Sequence, residues 1–140
     1  MALFLLHPIA IHFPITFLLT GAVLHLINSY RLKRAELEFF NSFLLYLGTV
    51  AAWIAVGLGL LAQRTAEHIP AAWEVLSDHK ELGIWTAVVF TGLCSWRILA
   101  KEKFKPLFTL AWVGAAVLLI ATAYHGGELV YSFGMGVLNH

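Results

Sequence analysis

Charged residues are scarce in this sequence of 140 residues. Asp, Glu, Lys and Arg together make up 12% of it, whereas hydrophobic residues make up 60% and the mean hydropathy is +0.80. Soluble domains carry about 25% charged residues, so the composition excludes an ordinary soluble domain and indicates a membrane protein. The length fits one integral membrane domain, residues 1–140.

Cysteine is almost absent as well. The single Cys94 cannot form an internal disulfide, and no Cys-x-x-Cys-His motif is present for covalent haem attachment. The sequence also has no Gly-x-Ser-x-Gly, no Walker loop, no HExxH and no dinucleotide fingerprint, which argues against a hydrolase or a nucleotide-dependent enzyme. We recognise no internal repeat. The few basic residues form no stripe for nucleic-acid binding.

Four apolar segments lie between the charged positions, each near the ~20 residues that a bilayer core requires. They cover residues 8–30, 39–62, 82–100 and 106–124. Only helices and closed barrels satisfy their backbone groups in lipid, and four segments cannot close a barrel. We therefore predict an all-α, four-helix transmembrane bundle followed by a short non-helical C-terminal segment.

The basic residues predict the orientation of this bundle. Seven of the nine lie around the first and third connections between spans: Arg31, Lys33, Arg34, Arg97, Lys101, Lys103 and Lys105. By the positive-inside rule these connections are cytoplasmic, so both termini face outward. We interpret the basic residues as topological anchors, with lipid-specific binding as the alternative.

The sequence contains seven histidines, which is many for a membrane protein and does not follow from its hydrophobic composition. With the predicted topology, six of them share the outer face: His7, His12, His68, His79, His125 and His140. Only His25 lies toward the cytoplasmic end, on the side of the first helix opposite His12. Ligand-capable residues at membrane depth are costly and are treated as functional candidates.

Three of these histidines come from three different predicted helices at comparable depth, and we expect His12, His79 and His125 to bind a metal or cofactor. Pro14 would bend the first helix and aim His12 inward. His7 and Glu128 are expected to act as supporting groups behind the ligands. An aromatic slot for the cofactor is expected from Phe13, Trp85, Tyr124 and Tyr131.

The C-terminal segment contains four glycines within eleven residues. We expect Gly126 and Gly127 to end the fourth helix, because paired glycines allow positive φ and favour helix termination. The residues that follow would then form a lid over the histidines on the outer face.

Three functions fit these residues. The first is a haem b electron-transfer subunit, with two histidines on the iron and with a quinol or oxidoreductase partner in the membrane and a periplasmic electron carrier as acceptor. The second is a structural subunit of a respiratory or photosynthetic complex that holds no cofactor. The third is a protein that handles copper or zinc. A quinone pocket beside Trp85 and Tyr124, and assembly as a homo-oligomer, also stay open.

The two ends of the chain resemble a known family. The motifs are His7-Pro8 with His12-Phe13-Pro14, and Gly126-Gly127-Glu128-Leu129-Val130-Tyr131 with Gly134-Met135-Gly136-Val137. With four spans between them, they resemble the bacterial membrane family called domain of unknown function 2231. The resemblance implies a multi-pass protein of the bacterial inner membrane that is often encoded or fused with redox modules. It implies no settled activity, and the matching positions are His7, His12, His79, Gly127 and Tyr131.

Overall fold

The computed structural model describes residues 5–65, 69–100 and 103–136. Its helices are α1 (Leu6–Ala10), α2 (His12–Ile27), α3 (Ala35–Thr65), α4 (Trp73–Ala100) and α5 (Lys105–Tyr131). A π-helical turn over Asn28–Leu32 prolongs α2, and a 3-10 turn over Pro70–Ala72 precedes α4. All regular structure in these ranges is helical, and four segments are long and apolar enough to cross a membrane. The predicted all-helical transmembrane class is confirmed.

The first span is broken between α1 and α2, at Ile11. Pro14 has no N–H to offer the carbonyl of Ala10, so the regular hydrogen-bond ladder cannot pass this point. The break occurs where the sequence predicts it, but it does not turn His12 inward. His12 is exposed, whereas His7 is half-buried. Residues at a spacing of seven share one face of a helix, and His7, the buried Pro14 and the buried Gly21 form such a series.

Two helices are longer than predicted. α4 begins at Trp73 rather than near residue 82, so His79 lies in the second turn of a helix and not in a connection. α5 continues through Gly126 and Gly127 to Tyr131, so the expected helix end at these glycines is wrong. Positive φ occurs instead at Gly134 and Gly136, beyond the helix. The non-helical C-terminal segment is therefore shorter than expected.

Each spanning helix contributes one large buried side chain to the centre of the bundle: Leu18, Leu45, Phe90 and Trp112. α2 packs on α3 and α5, and α4 packs on the same two helices. Leu18 lies so close to α3 that a Cβ at Gly48 would come within 2.6 Å of its Cδ2. The glycine therefore permits the close approach of α2 to α3.

The two helical hairpins bury equivalent positions, which reveals an internal repeat that the sequence analysis missed. In α2 and α4 the buried pairs are 72 residues apart: Pro14 and Thr86, Leu18 and Phe90, Gly21 and Leu93, His25 and Arg97. In α3 and α5 they are 67 residues apart: Asn41 and Phe108, Leu45 and Trp112, Gly48 and Ala115, Ala52 and Leu119, Ala55 and Thr122. The two hairpins bury equivalent positions but fill them with different residue types, so the repeat cannot be recognised from the residues alone.

Candidate functional site

The candidate site lies at the end of the bundle that carries His7, His79 and His125, which we call the histidine end. His7 Nδ1 lies 2.8 Å from the carbonyl oxygen of Ala55 in α3. A carbonyl only accepts hydrogen bonds, so the proton of the neutral ring is on Nδ1 and Nε2 keeps its lone pair. The ring rests on Gly59, where a Cβ would lie 3.0 Å from His7 Cε1.

His79 in α4 repeats this arrangement in the second hairpin. Its Nδ1–H donates to the carbonyl of Thr122 in α5 at 3.0 Å, so its Nε2 also keeps a lone pair. The ring rests on Gly126, where a Cβ would lie 2.9 Å from His79 Cε1. Gly126 is therefore needed for contact with the imidazole, which explains why a glycine stands inside α5.

The two imidazoles occupy equivalent positions of the internal repeat. His7 and His79 are 72 residues apart, and in both hairpins the supporting glycine follows the accepting carbonyl by four residues. Their ring centres are 6.1 Å apart with an angle of 72° between the ring planes. Neither Nε2 has a hydrogen-bond partner among the residues that the structure describes. Two unused imidazole nitrogens are thus brought together at the interface of the repeats.

Both rings line a cavity of about 180 Å³ between the hairpins. Its walls are largely apolar, with Pro14, Ala52, Leu119 and Leu129 among them. The polar side chains in the lining, apart from the two histidines, are Gln63, Lys80, Thr86 and Thr122. Apolar walls with a few convergent polar groups are typical of a binding site for a small molecule or cofactor.

The C-terminal segment closes part of this cavity. Met135 and Gly136 line it, and a Cβ at Gly136 would lie 3.5 Å from Pro8 Cγ. The expected lid over the histidines is therefore present for residues 135 and 136. The remainder of the predicted segment, from Val137 onward, lies outside the described residues.

The other predicted ligands are not on the cavity. His12 is exposed, and its Nδ1–H donates to the carbonyl of Pro8 one turn earlier at 2.8 Å. His125 Nδ1 lies 3.6 Å from Glu128 Oε2 in α5, has no hydrogen-bond partner within the described residues, and neither residue lines the cavity. His68 and His140 lie outside the described residues.

The expected aromatic slot is not assembled. Trp85, Tyr124 and Tyr131 are 55%, 71% and 91% exposed, and Phe13 is also exposed. These rings lie on the outside of the bundle, where amphipathic aromatic side chains favour the membrane surface. None of these four residues occupies a buried position of the repeat. Each therefore lies on a part of its helix that does not face the cavity.

Sequence reasoning placed His25 correctly at the opposite end but missed its role. His25 is buried, and its Nε2–H donates to Thr109 Oγ1 at 2.9 Å, because the Thr109 hydroxyl proton is donated to the Lys105 carbonyl. Its Nδ1 lies 3.4 Å from Arg97 Nη2 and accepts from it, and Arg97 forms an ion pair with Glu38. Both ring nitrogens of His25 are used inside the protein, so this histidine is structural.

Comparison with known proteins identifies one relationship. A family model described as "Predicted membrane protein (DUF2231)" matches residues 4–139. No curated protein matches the chain, and no solved structure matches it.

Proposed function

Because the chain belongs to the DUF2231 family of predicted membrane proteins, whose description names no activity, we propose its function from the histidine end. The protein is a haem b electron-transfer subunit of the bacterial inner membrane, and His7 and His79 are the residues that would hold the haem iron. The observation that carries this proposal is the pair of unused Nε2 atoms on imidazoles whose ring centres are 6.1 Å apart.

The hydrogen bonds of the two rings favour metal ligation. Histidines that bind metals almost always donate the second ring N–H to a carbonyl or a carboxylate, which fixes the ring and raises its basicity. His7 and His79 both do this, through Ala55 and Thr122. With metal–nitrogen bonds of about 2.0 Å, two rings whose centres are 6.1 Å apart could both reach one metal.

The number of ligands favours haem over a bare ion. Among the described residues no three His, Cys, Asp or Glu side chains are grouped to hold one metal. Protein sites for zinc use three or four such ligands. A haem iron needs only two, because the porphyrin supplies the other four. The apolar walls match the chemistry of a porphyrin, and Lys80 supplies a positive charge in the lining for a propionate. The volume of about 180 Å³ is smaller than a porphyrin, so the two hairpins would have to separate to admit one.

When bound, haem supplies one-electron transfer, and two histidines on the iron leave no position for a substrate. The residues of the chain fix the orientation of the two rings through the carbonyls of Ala55 and Thr122. The basic connections at the other end favour an arrangement with the histidine end periplasmic. An electron donor in the membrane, such as a quinol or an oxidoreductase, and a periplasmic acceptor follow from that arrangement.

The test is the optical spectrum of the full chain, purified in mild detergent from haem-replete cells. We expect a Soret band and an α-band that sharpens on reduction. His7→Ala and His79→Ala should each abolish these bands, and the exposed His12→Ala should leave them unchanged. A protein without a haem spectrum that contains stoichiometric copper or zinc would support metal handling instead. A protein that contains neither would support a structural subunit.

A further inference from the structure

A second pocket lies at the other end of the bundle, which we call the basic end. Its volume is about 960 Å³, and it is open between the π-turn, α3, α4 and the start of α5. The charged side chains that line it are Lys33, Arg34, Glu38, Arg97 and Lys105. Four positive charges thus face a single carboxylate.

The carboxylate is already engaged by the two deeper cations. Arg97 forms an ion pair with Glu38, and Lys105 Nζ lies 4.0 Å from Glu38 Oε2. The side chains of Lys33 and Arg34 make no ion pair or hydrogen bond within the part of the chain that the structure describes. Within the described residues these two charges have no counter-ion, so the pocket can attract an anion.

Asn28 fixes the backbone of the turn that carries the two cations. Its side chain is buried, accepts from the Arg34 backbone N–H at 2.9 Å and donates to the Arg34 carbonyl at 3.1 Å. It also donates to Glu38 Oε2 at 3.2 Å. Lys33 turns the chain with a φ of 52°. The backbone from which the two cations extend is thus fixed by hydrogen bonds to a buried side chain.

Aromatic residues continue the pocket along the bundle. Phe39, Phe43 and Tyr46 line it at the i, i+4 and i+7 positions of one face of α3, and Phe39 is 77% exposed. At 1.5 Å per residue this face extends about 10 Å from the charged residues toward the middle of the span. A ligand that fits has an anionic head and a hydrocarbon chain.

We propose that the basic end binds an anionic phospholipid. Its phosphate lies against Lys33 and Arg34, and an acyl chain lies on Phe39 and Phe43. Basic pockets between transmembrane helices are suited to such head groups because the low-dielectric surroundings strengthen the attraction. The proposal does not depend on the cofactor at the histidine end.

The experiment is native mass spectrometry of the full chain, delipidated and then titrated with phosphatidylglycerol or phosphatidylcholine of the same acyl chains. The wild type should retain phosphatidylglycerol preferentially. Each basic residue near a membrane surface is worth about 1 kcal/mol, so Lys33→Gln with Arg34→Gln should weaken retention about thirty-fold. The matched control is Arg31→Gln with Lys103→Gln, which removes the same charge from the same end but not from the pocket lining.

An equal loss in the control pair would overturn the proposal, since it would indicate non-specific attraction to the basic end. A second variant tests the acyl groove without changing charge. Phe43→Ala should weaken retention several-fold, whereas Phe40→Ala, which is exposed but not in the pocket lining, should not. Displacement of the lipid by equimolar glycerol phosphate would identify a site for a free phosphate and would also overturn the proposal.

Discussion

The two ends of the bundle use equivalent positions in opposite ways. Each hairpin carries two ligand-capable or charged residues 18 positions apart, His7 and His25 in the first, His79 and Arg97 in the second. At the histidine end each ring gives one N–H to a helix carbonyl and keeps Nε2 unused. At the basic end the side chains bond to one another, and His25 uses both ring nitrogens.

This difference distinguishes a binding site from a structural network. A buried polar group costs free energy unless it is satisfied, and the cost is higher in lipid because no water can substitute. At the basic end the ring of His25 meets this requirement through both of its nitrogens. At the histidine end the two Nε2 atoms make no hydrogen bond within the described residues, which leaves them available to a ligand.

The largest expected effect is at Arg97, in the network of the basic end. Arg97→Leu leaves the partly buried Glu38 carboxylate without its main ion-pair partner and removes a donor to His25. Breaking such a pair from one side costs about 3–5 kcal/mol. Reversible unfolding in a denaturing detergent should show the loss. The double variant Arg97→Leu with Glu38→Leu should recover much of it, and a double variant as unstable as the single one would contradict this account.

A smaller effect, confined to the proposed cofactor site, is expected at Gly126. In Gly126→Ala the new Cβ would lie 2.9 Å from His79 Cε1, so the ring must move away from its carbonyl acceptor. Overpacking of this kind costs about 1–3 kcal/mol, and we expect haem affinity to fall roughly ten- to hundred-fold. Haem titration of the apoprotein measures it.

The matched control is the neighbouring glycine. In Gly127→Ala the nearest atom to the new Cβ is Tyr131 Cδ2 at 3.9 Å, an ordinary contact. This variant should keep the wild-type affinity for haem and gain a little helix stability. Equal haem affinities for the two alanine variants would show that the contact between the His79 ring and Gly126 does not contribute to haem binding.

The fold could be predicted from the sequence, and the composition of the site only in part. The four spans follow from hydropathy, and the histidine cluster follows from topology, because both depend on regular features of the chain. The choice of His7 over His12 depends on which face of the first helix is buried. The series of seven from His7 through Pro14 to Gly21 carries that signal, whereas the bend at Pro14 favoured His12, which is exposed in the structure.

Gly126 shows why the remainder could not be predicted. Glycine pairs usually end helices, and the reason for keeping one inside α5 is a ring from another helix 47 residues away in the chain. Such a contact is long-range, so local propensity gives the opposite answer. The internal repeat is hidden for a related reason, since equivalent positions hold His25 and Arg97, or Pro14 and Thr86, which share burial but not chemistry.

An effect no larger than that at Gly126, and confined to the opposite end of the bundle, is expected at Thr109. Thr109→Val keeps the shape of the side chain but leaves the buried His25 Nε2–H without its acceptor, at a cost of about 1–3 kcal/mol. Thermal unfolding in detergent should show this loss, while the optical spectrum and haem affinity should stay at wild-type values. Thr16→Val, at an exposed position of α2 with no side-chain hydrogen bond within the described residues, should change neither the stability nor the spectrum.

A spectral change in Thr109→Val would mean that the network at the basic end and the site at the histidine end are coupled through the bundle. In that case His25 could no longer be treated as purely structural.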